Sequence, residues 1–265
     1  MVKQDLNIAA IQAPLYWENP EKNFHLFDEK IVTIPKTTDL IILPEMFSTG
    51  FSMNTDLITE ESSAKALKWM KYTSAKQNAA LCGSLAIKEG ELFYNRLYWV
   101  NPDGSFNHYD KRHLFSLSKE HESFTKGKSR LIVEFKGWKI CPLICYDLRF
   151  PVWSRNALQN ETSEFDLLLY VANWPEKRVF AWQNLLIARA IENQSYAVGV
   201  NRIGNDANEV PYSGDSMIID PLGVVLQHAE NEERILLAKL SFDYLNKIRT
   251  NLPFLNDADN YEIKN

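Results

Sequence analysis

Three segments of this sequence set a chemically capable side chain just past a short apolar run. Glu45 follows Ile41-Ile-Leu43 and Pro44, and precedes Met46-Phe47. Lys111 sits in Tyr109-Asp-Lys111-Arg-His-Leu-Phe115, and Cys145 links Leu143-Ile144 to Tyr146-Asp-Leu-Arg149-Phe-Pro151. Open sheets build their sites at such strand ends. A thiol, a carboxylate and an ammonium together meet the needs of amide cleavage: a nucleophile, a proton carrier and a charge for the oxyanion. In that chemistry Glu45 takes the thiol proton as Cys145 attacks a carbonyl. Lys111 and the backbone N–H of Tyr146 face the developing O⁻. Glu45 then protonates the leaving nitrogen and activates the water that hydrolyses the thioester. No metal or other cofactor is needed for these steps.

Each residue also has a plainer reading. Free cysteine is among the most buried residue types, and Cys82 and Cys141 fit that description. Cys145 differs because a polar cluster follows it at once and Pro151 suits the first turn of a helix. A thiol at such a junction is expected to meet backbone N–H groups and the positive end of a helix, which favour the thiolate. Glu45 has apolar neighbours on both sides, so it is expected to be partly desolvated, as suits a general base. Lys111 alone would pass for part of a charge run.

Bulk properties narrow the field. The 265 residues are ample for a sizeable core, and the simplest division is one domain over 1–265. A net charge of -5 gives no electrostatic reason to bind nucleic acid. Three cysteines without paired C-x-x-C spacing argue against structural zinc or a disulfide framework. The amino terminus lacks a long apolar stretch, and no run is long enough to span a bilayer. A reducing, cytoplasmic setting without membrane contact is therefore expected.

Around the reactive residues, strands are expected at Leu6 to Gln12, Asp39 to Leu43, Leu81 to Ile87 and Leu92 to Val100. Others follow at Phe106 to Tyr109, Lys139 to Cys145, Phe165 to Val171, Tyr196 to Val200, Ser216 to Ile219, Val224 to Gln227 and Ile235 to Leu240. Helices are expected from Pro20, with Asn19 as N-cap, and over Glu60 to Gln77, Pro151 to about Leu158, Val179 to Asn193 and Phe242 to Ile248. Alternating strands and helices with inserted strand pairs predict helices layered on sheets, an α/β or α+β sandwich.

Taken together, the three reactive segments resemble the nitrilase, or carbon–nitrogen hydrolase, superfamily, in the same chain order and over nearly the whole chain. The matching features are an acid after a strand, a K-x-H-L-F-like segment at Lys111 to Phe115 and a C-Y-D-x-R-F-like segment at Cys145 to Phe150. The resemblance implies a four-layer αββα sandwich that pairs as a homodimer. It assigns Cys145 as nucleophile, Glu45 as general base and Lys111 as oxyanion stabiliser. It also implies a second active-site glutamate, for which Glu120 is the better match by its spacing from Gly127 and Glu122 the competitor.

Asn95-Arg-Leu-Tyr-Trp99, Ala172-Asn-Trp-Pro175, Ala188-Arg-Ala-Ile-Glu-Asn193 and Gly214-Asp-Ser216 look like the bacterial omega-amidases. That branch hydrolyses the terminal amide of small 2-oxo dicarboxylic acid monoamides such as 2-oxoglutaramate and 2-oxosuccinamate. Such a substrate carries a carboxylate, and Arg149 is the candidate clamp because guanidinium binds carboxylate bidentately. The competing fate for Arg149 is an ion pair with Asp147 or Glu164. Trp174 and Phe47 are candidate pocket walls, beside Tyr146. Threonines that help some relatives hold substrate are missing from Trp174-Pro-Glu-Lys-Arg178. The alternatives are an N-carbamoyl amino acid hydrolase, an aliphatic amidase, or a catalytically silent binding protein on the same fold.

Overall fold

The computed structural model describes residues 4–159, 162–259 and 261–263. Two mixed sheets carry the architecture. The first contains β1 (Leu6–Gln12), β2 (Leu40–Ile42), β3 (Ala80–Glu89), β4 (Leu92–Val100), β5 (Phe106–Asp110) and β15 (Arg234–Leu240), in the order β15-β1-β2-β3-β4-β5. The second contains β6 (Val133–Phe135), β7 (Trp138–Ile144), β10 (Leu167–Ala172), β11 (Tyr196–Asn201), β12 (Ile203–Asn205), β13 (Pro211–Ile219) and β14 (Val225–Glu230). Its order is β12-β13-β11-β10-β7-β6, with β14 on β13. A small ribbon joins β8 (Leu158–Gln159) to β9 (Thr162–Ser163).

The apolar runs explain the layering. Along β1, Ile8 and Ala10 join the core shared with the second sheet, while Ala9 and Ile11 face the other way. Leu40 and Ile42 repeat the first direction, Ile41 and Leu43 the second. Period-two alternation in a wholly apolar strand requires cover on both faces. The outer cover is α1 (Pro20–Ile31) and α2 (Glu60–Gln77), through Phe24, Phe27, Ala66 and Met70. Asn19 caps α1 by accepting from Lys22 N at 3.1 Å, with Pro20 in the first turn. Thr59 and Ser62 form a reciprocal capping box on α2.

The second sheet is covered by α4 (Val179–Asn193), which buries Trp182, Leu186 and Ala190. A Cβ on Gly199 of β11 would lie 2.4 Å from Leu186 Cδ1 and 2.6 Å from Trp182 Cζ2, so only glycine admits α4 this close. A short α3 (Glu120–Ser123) and a terminal α5 (Phe242–Asn251) complete the helices described. The layers run helix, sheet, sheet, helix. No helix among the described residues is long and apolar enough to cross a membrane.

One expected helix is absent. After Cys145 the chain makes a 3-10 turn over Cys145–Arg149, and Pro151 to Ser154 form turns rather than a helix start. Phe150, which precedes Pro151, lies outside the helical region at φ −113° and ψ 88°, as the following proline ring disfavours a helical residue there. Asn156 then spends its backbone N–H on Asn193 Oδ1 (2.8 Å) and its side-chain amide on the carbonyls of Phe165 and Asn193. Long-range hydrogen bonds take the place of helical ones.

Gly199→Ala is expected to destabilise the protein by about 1–3 kcal/mol through overpacking against α4. Chemical denaturation measures this, and unchanged stability would contradict so close a seat for α4 on β11.

Candidate active site

The carboxyl ends of β2, β5, β7 and β10 deliver their following residues to one place between the sheets. Glu45 arrives after β2, Lys111 after β5, Cys145 after β7 and Asn173 after β10. Glu45, Lys111 and Glu120 are wholly buried. The Lys111 ammonium donates to Glu45 Oε1 at 2.8 Å and to both oxygens of Glu120, at 3.0 and 2.9 Å. Gly127 holds the Lys111 loop in place: its N–H donates to Lys111 O at 2.9 Å, and a Cβ there would stand 2.0 Å from the Asp110 carbonyl oxygen.

Two carboxylates against one ammonium need further donors. Asn95 Nδ2 on β4 donates to Glu45 Oε1 (2.8 Å) and to Glu120 Oε1 (3.0 Å). The backbone N–H of Asn173 donates to Glu45 Oε2 at 2.7 Å, and that of Phe115 to Glu120 Oε2 at 2.6 Å. The Asn173 side chain also donates to the Glu45 carbonyl at 2.7 Å. Glu122 lies outside this group, exposed and 3.6 Å from Lys119, so the glutamate beside Lys111 is Glu120. Among the described residues no three His, Cys, Asp or Glu side chains group as metal ligands would.

Cys145 has φ +43°, in the left-handed region that costs a β-carbon residue about 1–3 kcal/mol. Its thiol faces the Asn173 carbonyl oxygen at 3.9 Å. Burial, then the negative charge of Glu45, pushes the thiol well above its ordinary pKa, and the opposing pull of Lys111 does not overcome them. The thiolate-stabilising helix end expected from the sequence is therefore not what governs this cysteine. A neutral thiol at rest needs a base at the moment of attack. For Lys111, burial works against the charge, but Glu120 and Glu45 outweigh it and hold the pKa above the ordinary value. Burial raises the Glu120 carboxyl, Lys111 opposes that, and the net direction is upward.

A cavity of about 890 Å³ opens onto Cys145. Tyr146, Arg149 and Trp174 line it, with Phe51, Tyr212 and Arg178 among the other walls. Arg149 lies over the Trp174 ring at 4.9 Å, is exposed, and has no ion-pair partner among the described residues. The two acids that compete for it in the sequence are engaged elsewhere. Asp147 accepts from Tyr109 (2.8 Å), the His113 N–H (3.1 Å) and the Ile144 N–H (3.0 Å), and Glu164 pairs with Arg130 at 2.5 Å. Phe47 is not a cavity wall. It packs on the outer helical side against Phe24, Phe27 and Trp69, because the chain turns at Met46 (φ +42°), and Phe51 is the phenylalanine of this segment that lines the cavity.

Sequence reasoning did not single out Asn95, Asn173 or Phe51. Asn95 and Asn173 lie in the omega-amidase-like segments Asn95–Trp99 and Ala172–Pro175, but asparagine is too common in turns for its type alone to mark a site.

The carbon–nitrogen hydrolase family profile matches residues 7–250. The chain is 42% identical to the omega-amidase YafV of Escherichia coli (strain K12), over 97% of this chain and 98% of that one. It is 34% identical to the 2-oxoglutaramate amidase of Bacillus subtilis (strain 168), over 94% and 96%. The crystal structure of XC1258 from Xanthomonas campestris, described as a CN-hydrolase superfamily protein with an arsenic adduct in the active site, superposes with a TM-score of 0.95. It is 39% identical and the match covers 98% of this chain and 99% of that one.

Glu45→Gln removes a negative charge beside the thiol and is expected to lower the Cys145 pKa. Ultraviolet thiolate absorbance against pH, with Cys145→Ala as the blank, measures it; an unchanged or higher midpoint would contradict the ordering of charges given above.

Proposed function

The chain belongs to the carbon–nitrogen hydrolase family, and we propose that within it the protein is an omega-amidase that releases ammonia from 2-oxoglutaramate and similar monoamides of 2-oxo dicarboxylic acids. The observation that carries this reading is one cavity lined by Cys145, backed by the buried Glu45–Lys111–Glu120 group, with Arg149 on its wall and free of any ion pair among the described residues. The omega-amidase and 2-oxoglutaramate amidase relatives support the substrate class.

The reaction proceeds in two acyl transfers. Glu45 takes the Cys145 proton as Sγ bonds to the amide carbon, and the carbonyl π pair moves onto oxygen. Lys111 and the Tyr146 N–H, which has no partner inside its own turn, stabilise that O⁻. Lys111 has three hydrogens: one covers Glu45 Oε1, and one placed between the Glu120 oxygens frees the third for the oxyanion. Collapse breaks the C–N bond while Glu45 returns its proton to the nitrogen, and ammonia leaves. Water then gives a proton to Glu45 as it attacks the thioester. The second oxyanion expels the sulfur, which recovers the proton, and the free acid departs.

Arg149 holds the substrate carboxylate, with its guanidinium plane supported by the Trp174 ring. We infer also that the protein works in a reducing, cytoplasmic setting, where Cys145 stays a thiol; Cys82, Cys141 and Cys145 are all unpaired. A homodimer is consistent with the exposed Phe180 and Ile191 on α4.

Cys145→Ala is expected to abolish ammonia release from 2-oxoglutaramate. Arg149→Leu is expected to raise KM about tenfold or more with kcat changed less, as loss of uniform carboxylate binding requires. Steady-state assays beside glutamine and N-carbamoyl amino acids test both. Turnover of the carbamoyl compounds without 2-oxoglutaramate would replace this reading with a carbamoyl hydrolase.

A further inference from the structure

Two buried carboxylates side by side must be met by donors rather than lone pairs. Asn95 is the side chain that decides this. Its Nδ2 reaches Glu45 and Glu120, so a reversed amide would set Oδ1 against both carboxylates at 2.8 and 3.0 Å. Ser84, wholly buried on β3 and cross-strand from the β4 segment, donates its hydroxyl hydrogen to Asn95 Oδ1 at 2.9 Å. Ser84 Oγ in turn accepts the Met46 N–H at 2.9 Å. That N–H can only donate, so the hydroxyl hydrogen turns away from it, and Asn95 Oδ1 is the acceptor it meets. Met46 itself is held at φ +42°, next in chain to Glu45, and the Ser84 carbonyl accepts from the Phe47 N–H at 3.1 Å. One serine therefore ties the strained turn that carries Glu45 to the amide that serves both glutamates.

The geometry points to Ser84 as a positioning residue: it sets the polarity of the Met46–Ser84–Asn95 chain, so that Asn95 donates to the Glu45–Glu120 pair and favours their charged forms. This inference rests on Glu45 acting as the base. The ionisable groups facing the pair are Lys111 from the loop after β5, Glu120 from α3 and Cys145 from the turn after β7. Nothing but hydrogen-bond donors can offset the second negative charge, because Lys111 is the one cation in this group.

The sign follows from which form is favoured. A donor to ionised carboxylates favours their charged forms, as the Asn95 hydrogen bond does for Glu120, and activity needs the ionised base. Weakening the donor favours the protonated forms, so the acid limb of the activity profile moves up and activity is lost at a higher pH than before. The experiment measures kcat and KM against pH for ammonia release from 2-oxoglutaramate, with the pH dependence of Cys145 alkylation by iodoacetamide measured in parallel. Alkylation needs no assumption about the natural substrate, so failure of the omega-amidase reading leaves a readout for this one.

Ser84→Ala is expected to lower kcat about tenfold with KM changed less than about twofold, and to move the acid limb up by about one unit. Ser84→Thr keeps the hydroxyl and is expected to recover most of both. Asn95→Asp, which keeps the shape and replaces the donor by a third carboxyl, is expected to move the limb further in the same direction. Wild-type profiles in Ser84→Ala or Asn95→Asp would overturn the proposal. So would a loss of activity without movement of the limb, or, where Ser84→Ala fails to fold, an unshifted limb in a folded Asn95→Asp.

Discussion

A lysine ammonium sealed from water must be neutralised where it sits, and the rest of this site follows from that requirement. Lys111 has no exposed surface, and removing a charge from solvent costs several kcal/mol even after relaxation. Glu45 and Glu120 supply opposite charge from two directions, one from the first sheet's β2 and one from the short α3. Two carboxylates overcompensate one ammonium, and the surplus is met by N–H donors from Asn95, Asn173 and Phe115. Elements far apart in the chain are thereby made interdependent. Losing one partner would leave an uncompensated buried charge, which is more costly than never having buried the pair.

In the proposed reaction the same network lets a thiol with a raised pKa serve as nucleophile. Burial and the charge of Glu45 push the Cys145 thiol toward its neutral form, and Lys111 is the cation proposed to meet the negative charge on oxygen. On that reading the stabilising charge is kept for the oxyanion rather than for a standing thiolate. Binding that strengthens as the reaction advances accelerates chemistry more than equal stabilisation of the ground state. Both reactive turns accept backbone strain to achieve this, Met46 at φ +42° beside Glu45 and Cys145 at φ +43°. Tertiary contacts hold each turn, since neither residue is a glycine.

Much of the scaffold was legible in local pattern. The start of α1 at Asn19-Pro20 and the full length of α4 emerge from capping chemistry and helical spacing, and β1 from its apolar run. Glu45, Lys111 and Cys145 were legible because each reactive type stands just past a strand. The helix expected after Cys145 failed because Ser154 and Asn156 find long-range partners on α4, which no window of local sequence contains. Phe47 was misplaced as a cavity wall for a related reason. The turn at Met46 decides which way the next side chain points, and that turn is held by Ser84 on another strand.

By itself, then, the amino-acid sequence determined the longer strands and four of the helices, the order of the reactive residues and the family to which they belong. Those features reside in periodicity, capping and residue type, all of which act over a few positions. Only the tertiary structure decided that Glu120 rather than Glu122 meets Lys111, that Asp147 and Glu164 are engaged away from Arg149, and that Asn95 and Asn173 complete the charge balance. Each of these depends on the distance between side chains that no local repeat relates, from nine residues apart for Lys111 and Glu120 to 128 for Glu45 and Asn173. A buried charge is satisfied by whatever the packed sheets bring within hydrogen-bond reach, and that is settled in three dimensions.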